Sequence, residues 1–292
     1  MTRSVQETNN DAFRLSTVHS QDGTKIGYRS IGHGPGLIVV PGVLTTSEQF
    51  TAFARSLSDS LTVHILDRRG RGESGPQGLE YSVKKECEDI RAVQDATGAV
   101  YIFGISYGGL LTLEAAWTHP TFAKIAVYEP GVLIHSVPAD WRWLTEYEED
   151  LNQQDLRGAL TTFVQGEGKT FLTRVPKWLA KLILCIGVRG KRWNRISQLL
   201  SENLREQREI RRLASTYRTY EAIDNAVFLM AGGKSPELVH QMIGQLSQTI
   251  KGSESLIAPK LHHLSPENGH SPAQVAEPLR AFFLDDGQPN RL

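Results

Sequence analysis

The sequence predicts a mostly parallel, doubly wound α/β sheet with an antiparallel hairpin at its start and a helical insertion late in the chain. Three observations carry this. Four short runs, Leu37 to Val40, Val63 to Leu66, Val100 to Phe103 and Ile125 to Tyr128, are apolar on both faces, as strands covered on both sides must be. The segments Ser47 to Ser58, Tyr81 to Thr97 and Ser106 to Trp117 carry helical spacing of apolar residues and alternate with those runs. The alternation stops after Glu129-Pro130 and resumes with VFLMAGG, Val227 to Gly233.

In chain order, two alternating runs between Phe13 and Gly32 flank Asp22-Gly23, a dipeptide suited to a tight hairpin because both central positions favour positive φ. The strand–helix units then follow, with right-handed crossovers expected between parallel strands. About 90 residues after Pro130 read almost entirely as helix. The organisation expected is a core made of residues 1–130 and 221–292, with residues 131–220 as a cap. A last strand is expected over Ser255 to Leu264, and a terminal helix over Pro272 to Leu284.

Composition narrows the function classes. The 292 residues carry 32 Lys plus Arg against 32 Asp plus Glu, so no long-range field gathers a polyanion, and nucleic acid is not an expected partner. Cys87 and Cys185 stand 98 positions apart, without the close spacing of a zinc site or redox pair, and read as small apolar residues. The first thirteen residues hold no apolar run of the kind that forms a secretory signal core. The longest apolar stretch, Trp178 to Val188, is too short for a stable membrane span and is interrupted by Lys181. It reads as a pocket wall or as the interior of the cap, and a cytoplasmic location is expected. Within the insertion, residues 140–155 hold six Asp or Glu against one Arg, whereas residues 177–218 hold eleven Lys or Arg against three Glu. Such runs serve either as a contact for an acidic partner or as solvated faces balanced within the fold, and the second reading is preferred.

The chemistry is concentrated in Gly104-Ile105-Ser106-Tyr107-Gly108-Gly109, which follows a strand and opens an apolar helix. G-x-S-x-G in that context puts a serine on a sharp, strained turn, with small flanking residues because side chains there would strike the neighbouring strand and helix. The helix start adds free backbone N–H groups and a positive dipole end, both suited to a developing oxyanion. Serine needs a base. Of the nine histidines, His270 follows the expected last strand and precedes the terminal helix, which favours it. His262, His263 and His64 fall in or at the end of expected strands and read as structural, and His119, His135 and His240 as surface polar groups.

These motifs, with Pro41-Gly42-Val43, Asp67-Arg68-Arg69-Gly70-Arg71-Gly72-Glu73-Ser74, Tyr128-Glu129-Pro130 and Gly269-His270 in that order, resemble the α/β-hydrolase fold superfamily, in particular its cap-bearing, esterase-like serine hydrolases. The likeness spans roughly residues 20 to 290. It implies Ser106 as nucleophile, His270 as base, and an oxyanion hole from the backbone N–H groups of Tyr107 and Val43. Pro41-Gly42 stands where relatives commonly carry His-Gly. Ser235 occupies the region after the seventh strand where relatives usually place an Asp, so the resemblance points to Glu129 as the acid, with Glu237 as the alternative. The arginine-rich loop lacks the Gly-Lys-Ser/Thr ending of a nucleotide loop and is expected to tie other loops together.

The expected activity is hydrolysis of an ester, lactone or thioester of a small, largely apolar substrate through an acyl-enzyme. Carbon–carbon bond hydrolysis, perhydrolysis and ligand binding without turnover remain as alternatives. Aromatic residues of the insertion, Trp141, Trp143, Phe163, Phe171 and Trp178 among them, are expected to cover the nucleophile and set substrate choice. No cofactor and no metal are expected. The partner expected is a small-molecule substrate, and a homodimer is left open.

Overall fold

The computed structural model describes residues 12–134, 141–168 and 170–285. Most of the N-terminal stretch read for a secretory signal, and His135, lie outside the described residues. The sheet has eight strands: β1 (Arg14–His19), β2 (Lys25–Ile31), β3 (Gly36–Val40), β4 (Thr62–Asp67), β5 (Tyr101–Ile105), β6 (Lys124–Tyr128), β7 (Ala226–Gly232) and β8 (Glu254–Ala258). Their order is β1-β2-β4-β3-β5-β6-β7-β8. β2 runs antiparallel to both β1 and β4, and every other pairing is parallel. The hairpin forms, but not through a two-residue turn with both central residues at positive φ: residues 20–24 join the strands, Gly23 alone has positive φ (+81) where Asp22 does not, and Asp22 Oδ1 accepts from the N–H of Thr24 at 3.0 Å.

Helices cover both faces because the strands bury both. Cys87 and Ile90 of α2 (Val83–Thr97), Leu111 of α3 (Tyr107–Thr118) and Met242 of α9 (Glu237–Thr249) pack with Ile38, Ile102 and Leu229. On the other face Phe53 of α1 (Thr51–Arg55) and Leu279 and Phe283 of α10 (Pro272–Leu284) pack with Val39, Phe103 and Met230. The strand residues alternate between the two cores, as the two-residue period of a strand demands. Cys87 is buried and Cys185 half-buried, and neither is in a disulfide.

Between β6 and β7 lie α4 (Arg142–Asn152), α5 (Leu156–Gly166), α6 (Lys177–Gly187), α7 (Gly190–Gln198) and α8 (Leu200–Arg212). They share their own apolar cluster, including Leu144, Tyr147, Phe163, Leu200 and Leu204, into which Leu44 of the loop after β3 inserts. Part of the charge of the two opposed ends of this insertion is paired across it. Lys177 pairs with Glu146 and Asp150, Lys181 with Asp155, and Arg208 with Glu148.

One boundary differs from the sequence reading in a way that matters. β8 ends at Ala258, where Pro259 follows, and residues 259–271 form a loop rather than strand. Proline has no N–H to donate to a ladder, which ends the pairing there. His262 and His263 are thereby released from the strand.

Candidate active site

Five non-glycine residues among those described have positive φ, and three of them, Leu44 (+55), Ser106 (+55) and Glu129 (+45), line a single cavity of 380 Å³. Backbone of this kind costs energy and persists where the surroundings over-determine it, most often at functional sites. All three stand at the carboxyl edge of the parallel strands, where α/β folds place their ligands.

Ser106 joins β5 to α3. Its N–H donates to the carbonyl of Tyr128 at 2.9 Å, and its carbonyl accepts from Gly109 and Gly131, each at 2.8 Å. The sharpness of this turn requires small neighbours. A Cβ on Gly104 would strike the Gly108 carbonyl and the Thr112 hydroxyl, and one on Gly108 would strike the Val40 carbonyl. The N–H of Tyr107, first in the helix, has no acceptor among the described residues.

Glu129 follows β6 and is almost fully buried. Its Oε1 accepts from the N–H of Gly232 at 2.8 Å and from the Ser235 hydroxyl at 2.6 Å. Its Oε2 lies 2.7 Å from Nδ1 of His263. Burial alone would raise this carboxyl, but the bonds from His263, Ser235 and Gly232 outweigh it and hold the group below the usual carboxylate range. It is therefore ionised at neutral pH, and Nδ1–H of His263 is the donor.

The histidine that shares the cavity with Ser106 and bonds Glu129 is His263, not His270. His263 lines the cavity with Ser106 and Glu129, whereas His270 is exposed, outside the cavity, with its ring edge-on to His262 at 5.1 Å. The reason is the early end of β8, which leaves His263 on the loop at the sheet's edge and carries His270 seven positions further, toward α10. Pro259 was the available signal. Glu237, the alternative acid, heads α9 with an exposed side chain near His240 and does not line the cavity. Ser235, standing where relatives usually carry an Asp, instead donates to Glu129.

The loop after β3 approaches the serine closely: a Cβ on Gly42 would stand 3.1 Å from that of Ser106. Its carbonyls are held by arginines. Gly42 O accepts from Arg68 Nη1 at 3.2 Å, Arg71 Nη1 at 3.3 Å and the Thr45 hydroxyl at 3.0 Å. Thr45 O accepts from Arg71 Nη1 at 3.3 Å, and Leu44 O from Arg195 Nε at 3.2 Å. Because a trans peptide is planar, fixing Gly42 C=O directs the Val43 N–H the opposite way. That N–H has no acceptor among the described residues. Arg68 and Arg71 are in turn neutralised by Glu206 of α8, and Arg68 also by Glu86 of α2, all with fully buried side chains. Arg68 also stacks over the Tyr107 ring at 4.7 Å.

From the insertion, Leu160, Phe163, Leu172, Leu184, Val188 and Ile196 line the cavity. Phe163 is the one of the five expected aromatics that does so. Trp141 and Trp143 stack on each other within the insertion, and Phe171 and Trp178 are exposed. A second, larger hollow between α2, α3 and β1 holds no group from the Ser106 cavity.

One cavity at the carboxyl edge of an α/β sheet thus holds a strained serine and a carboxylate–histidine pair, next to two backbone N–H groups with no acceptor among the described residues. The model of the alpha/beta hydrolase family matches residues 37–281, and the chain belongs to that family. Among solved structures it is similar to an alpha/beta hydrolase from Sphaerobacter thermophilus, with a TM-score of 0.79, 26% identity and coverage of 92% of this chain and 100% of that one. It shares its fold with an enol-lactonase from Burkholderia xenovorans, with a TM-score of 0.69 at 18% identity, covering 92% and 99% of the two chains. A pimeloyl-[acyl-carrier protein] methyl ester esterase of Xanthomonas campestris is 30% identical over 145 residues, 46% of this chain and 53% of that protein. The chain thus spans about half the length of the curated relatives it matches.

Proposed function

We propose that the protein is a serine hydrolase that cleaves a carboxylic ester or lactone through an acyl-enzyme. The observation that carries this is the Glu129–His263 bond of 2.7 Å in the cavity that also holds Ser106. Nδ1 of His263 is engaged by Glu129, which leaves Nε2 to take the Ser106 proton as Oγ attacks the carbonyl carbon. Glu129 holds the tautomer and stabilises the imidazolium that forms. Negative charge gathering on the carbonyl oxygen is met by the N–H groups of Val43 and Tyr107. His263 returns the proton to the departing alcohol, and water repeats the sequence to release the acid. Ser106 Oγ makes no hydrogen bond among the described residues, and such bonds often tighten only with substrate in place. The insertion acts as a cap whose apolar lining receives the substrate, in keeping with an esterase among the relatives.

The test is serine-directed labelling together with hydrolysis of a panel of simple esters and lactones. A fluorophosphonate should add its mass to the peptide containing Ser106, and Ser106→Ala should lose both labelling and turnover. Labelling of a different serine, or full activity in Ser106→Ala, overturns the proposal.

A further inference from the structure

On the insertion side of the cavity stand two cations that the hydrolytic groups do not use. Arg192 and Arg195 of α7 both line it, beside Val188 and Ile196. Arg195 is half-buried, and its one hydrogen bond among the described residues, from Nε to the Leu44 carbonyl, holds the guanidinium against the loop that carries Val43. Among the described residues its two terminal nitrogens have no acceptor, and neither arginine has a carboxylate oxygen within 4.0 Å. The buried guanidiniums elsewhere differ. Arg68 and Arg71 share Glu206, and Arg69 is held by Asp89 and Asp22.

The electrostatics agree with the geometry. Arg68 and Arg69 are pushed above the ordinary arginine value because neighbouring carboxylates outweigh burial. Arg195 moves the other way: burial and the adjacent Arg192 push it down, and Glu267 and Glu48 only partly oppose them. It stays charged, but its charge is under-compensated. Three carboxyl groups also line the cavity. Glu129 is engaged by His263 and Ser235, and Glu167 has an interaction of its own. Glu267 faces both arginines without pairing to either, and burial raises its carboxyl against the pull of Arg195, His263 and Arg192. Two arginines therefore face at most one unengaged carboxylate.

We infer that the substrate carries an anionic oxygen group, a carboxylate or a phosphate, which Arg192 and Arg195 bind while the reacting carbonyl lies at Ser106. The inference deepens the hydrolase reading and rests on it for the second half of that statement. A guanidinium already fixed through Nε presents its terminal nitrogens as a preset fork, the geometry that suits these two anions. The cavity, at 380 Å³, has the size of a small-molecule site, and its apolar wall suits a short methylene chain between the two groups.

Calorimetric binding to Ser106→Ala tests this without turnover. Monomethyl adipate should bind roughly ten- to a hundredfold more tightly than methyl hexanoate, which has the same chain without the charge. Pentyl phosphate against pentanol forms a second arm that separates a phosphate from a carboxylate preference, and tighter binding of either anion supports the inference. The preference should fall toward parity in Arg192→Gln/Arg195→Gln and weaken as salt is raised. Arg195→Lys, which keeps a charge but not the fork, should retain part of it. Equal binding of charged and neutral members in both arms, or a preference that survives in the folded double glutamine variant, overturns the inference. Failure of Ser106 labelling in the wild type would instead sink the hydrolase reading, and the two failures are read by different measurements.

Discussion

Glu129 and His263, 134 positions apart in sequence, meet through a 2.7 Å bond from Nδ1–H to Oε2. They meet because β6 and β7 are parallel neighbours with β8 beyond them, so the residue after β6 and the loop after β8 emerge on one edge. Gly232 at the end of β7 closes the arrangement by donating to the same carboxylate.

The two histidines separate by mutation. His263→Ala should lower kcat on any ester substrate by several orders of magnitude while Ser106 remains present and the protein folded, because the serine then lacks its base. His270→Ala should stay within a few-fold of wild type. Steady-state kinetics on both variants, with circular dichroism as a check of folding, decides this, and the reverse outcome would return the base to His270.

Glu129→Gln should preserve the fold but leave His263 poorly oriented, a change that costs about 10⁴ in kcat in a comparable triad. Ser235→Ala removes one of the three bonds to the same carboxylate and should cost about tenfold or less, the worth of a single charged hydrogen bond at its lower end. Glu237→Gln should be silent. A Glu129→Gln enzyme with near-wild-type kcat would refute the pairing as a catalytic one.

Glu206→Gln should destabilise the protein by about 3–5 kcal/mol, because it leaves two buried guanidiniums short of their shared carboxylate. In the fraction that remains folded, kcat should fall more than KM rises, since the Gly42 carbonyl loses firm support and the Val43 N–H with it. Urea midpoints read the first effect and a kcat against KM comparison the second. Unchanged kcat in folded Glu206→Gln would confine the arginine network to a structural role.

Stability should depend on pH through His64. It sits buried in β4 with Nδ1 2.8 Å from the Ser30 hydroxyl, and burial first, then Arg14, lowers its pKa to about 4. The unfolded chain binds this proton near pH 6.5 and the folded one only near 4, so stability is full above about 6.5 and is lost as pH falls toward 4, by about 3 kcal/mol in total. Urea unfolding at several pH values should show this slope in wild type and a shallower one in His64→Gln. Equal slopes would assign the acid sensitivity elsewhere.

Much of the molecule was determined by local sequence. The alternation of doubly apolar runs with helical spacing specified the parallel sheet, Asp22-Gly23 specified the hairpin, and G-x-S-x-G after β5 specified a strained serine, because each depends on residues within a few positions of one another. Glu129 was not legible in that local way: Ser235 in place of an acid pointed to it only through the resemblance to known hydrolases, since the two residues stand 106 positions apart. What only the tertiary structure decided depends on contacts across long stretches of chain. The end of β8 at Ala258 put His263 rather than His270 against Glu129 and in the cavity, and that placement rests on register and on which side chain reaches the carboxylate, not on the motif around either histidine. Some of the opposed charges of the insertion, Lys177, Lys181 and Arg208 with acids of residues 146–155, became ion pairs, and its exposed and lining faces were separated by packing. The arginine-rich loop, legible in sequence only as a tie between loops, acquired its place through Glu206, about 135 residues downstream of Arg71, because a buried charge needs a partner from whatever part of the chain the fold brings beside it.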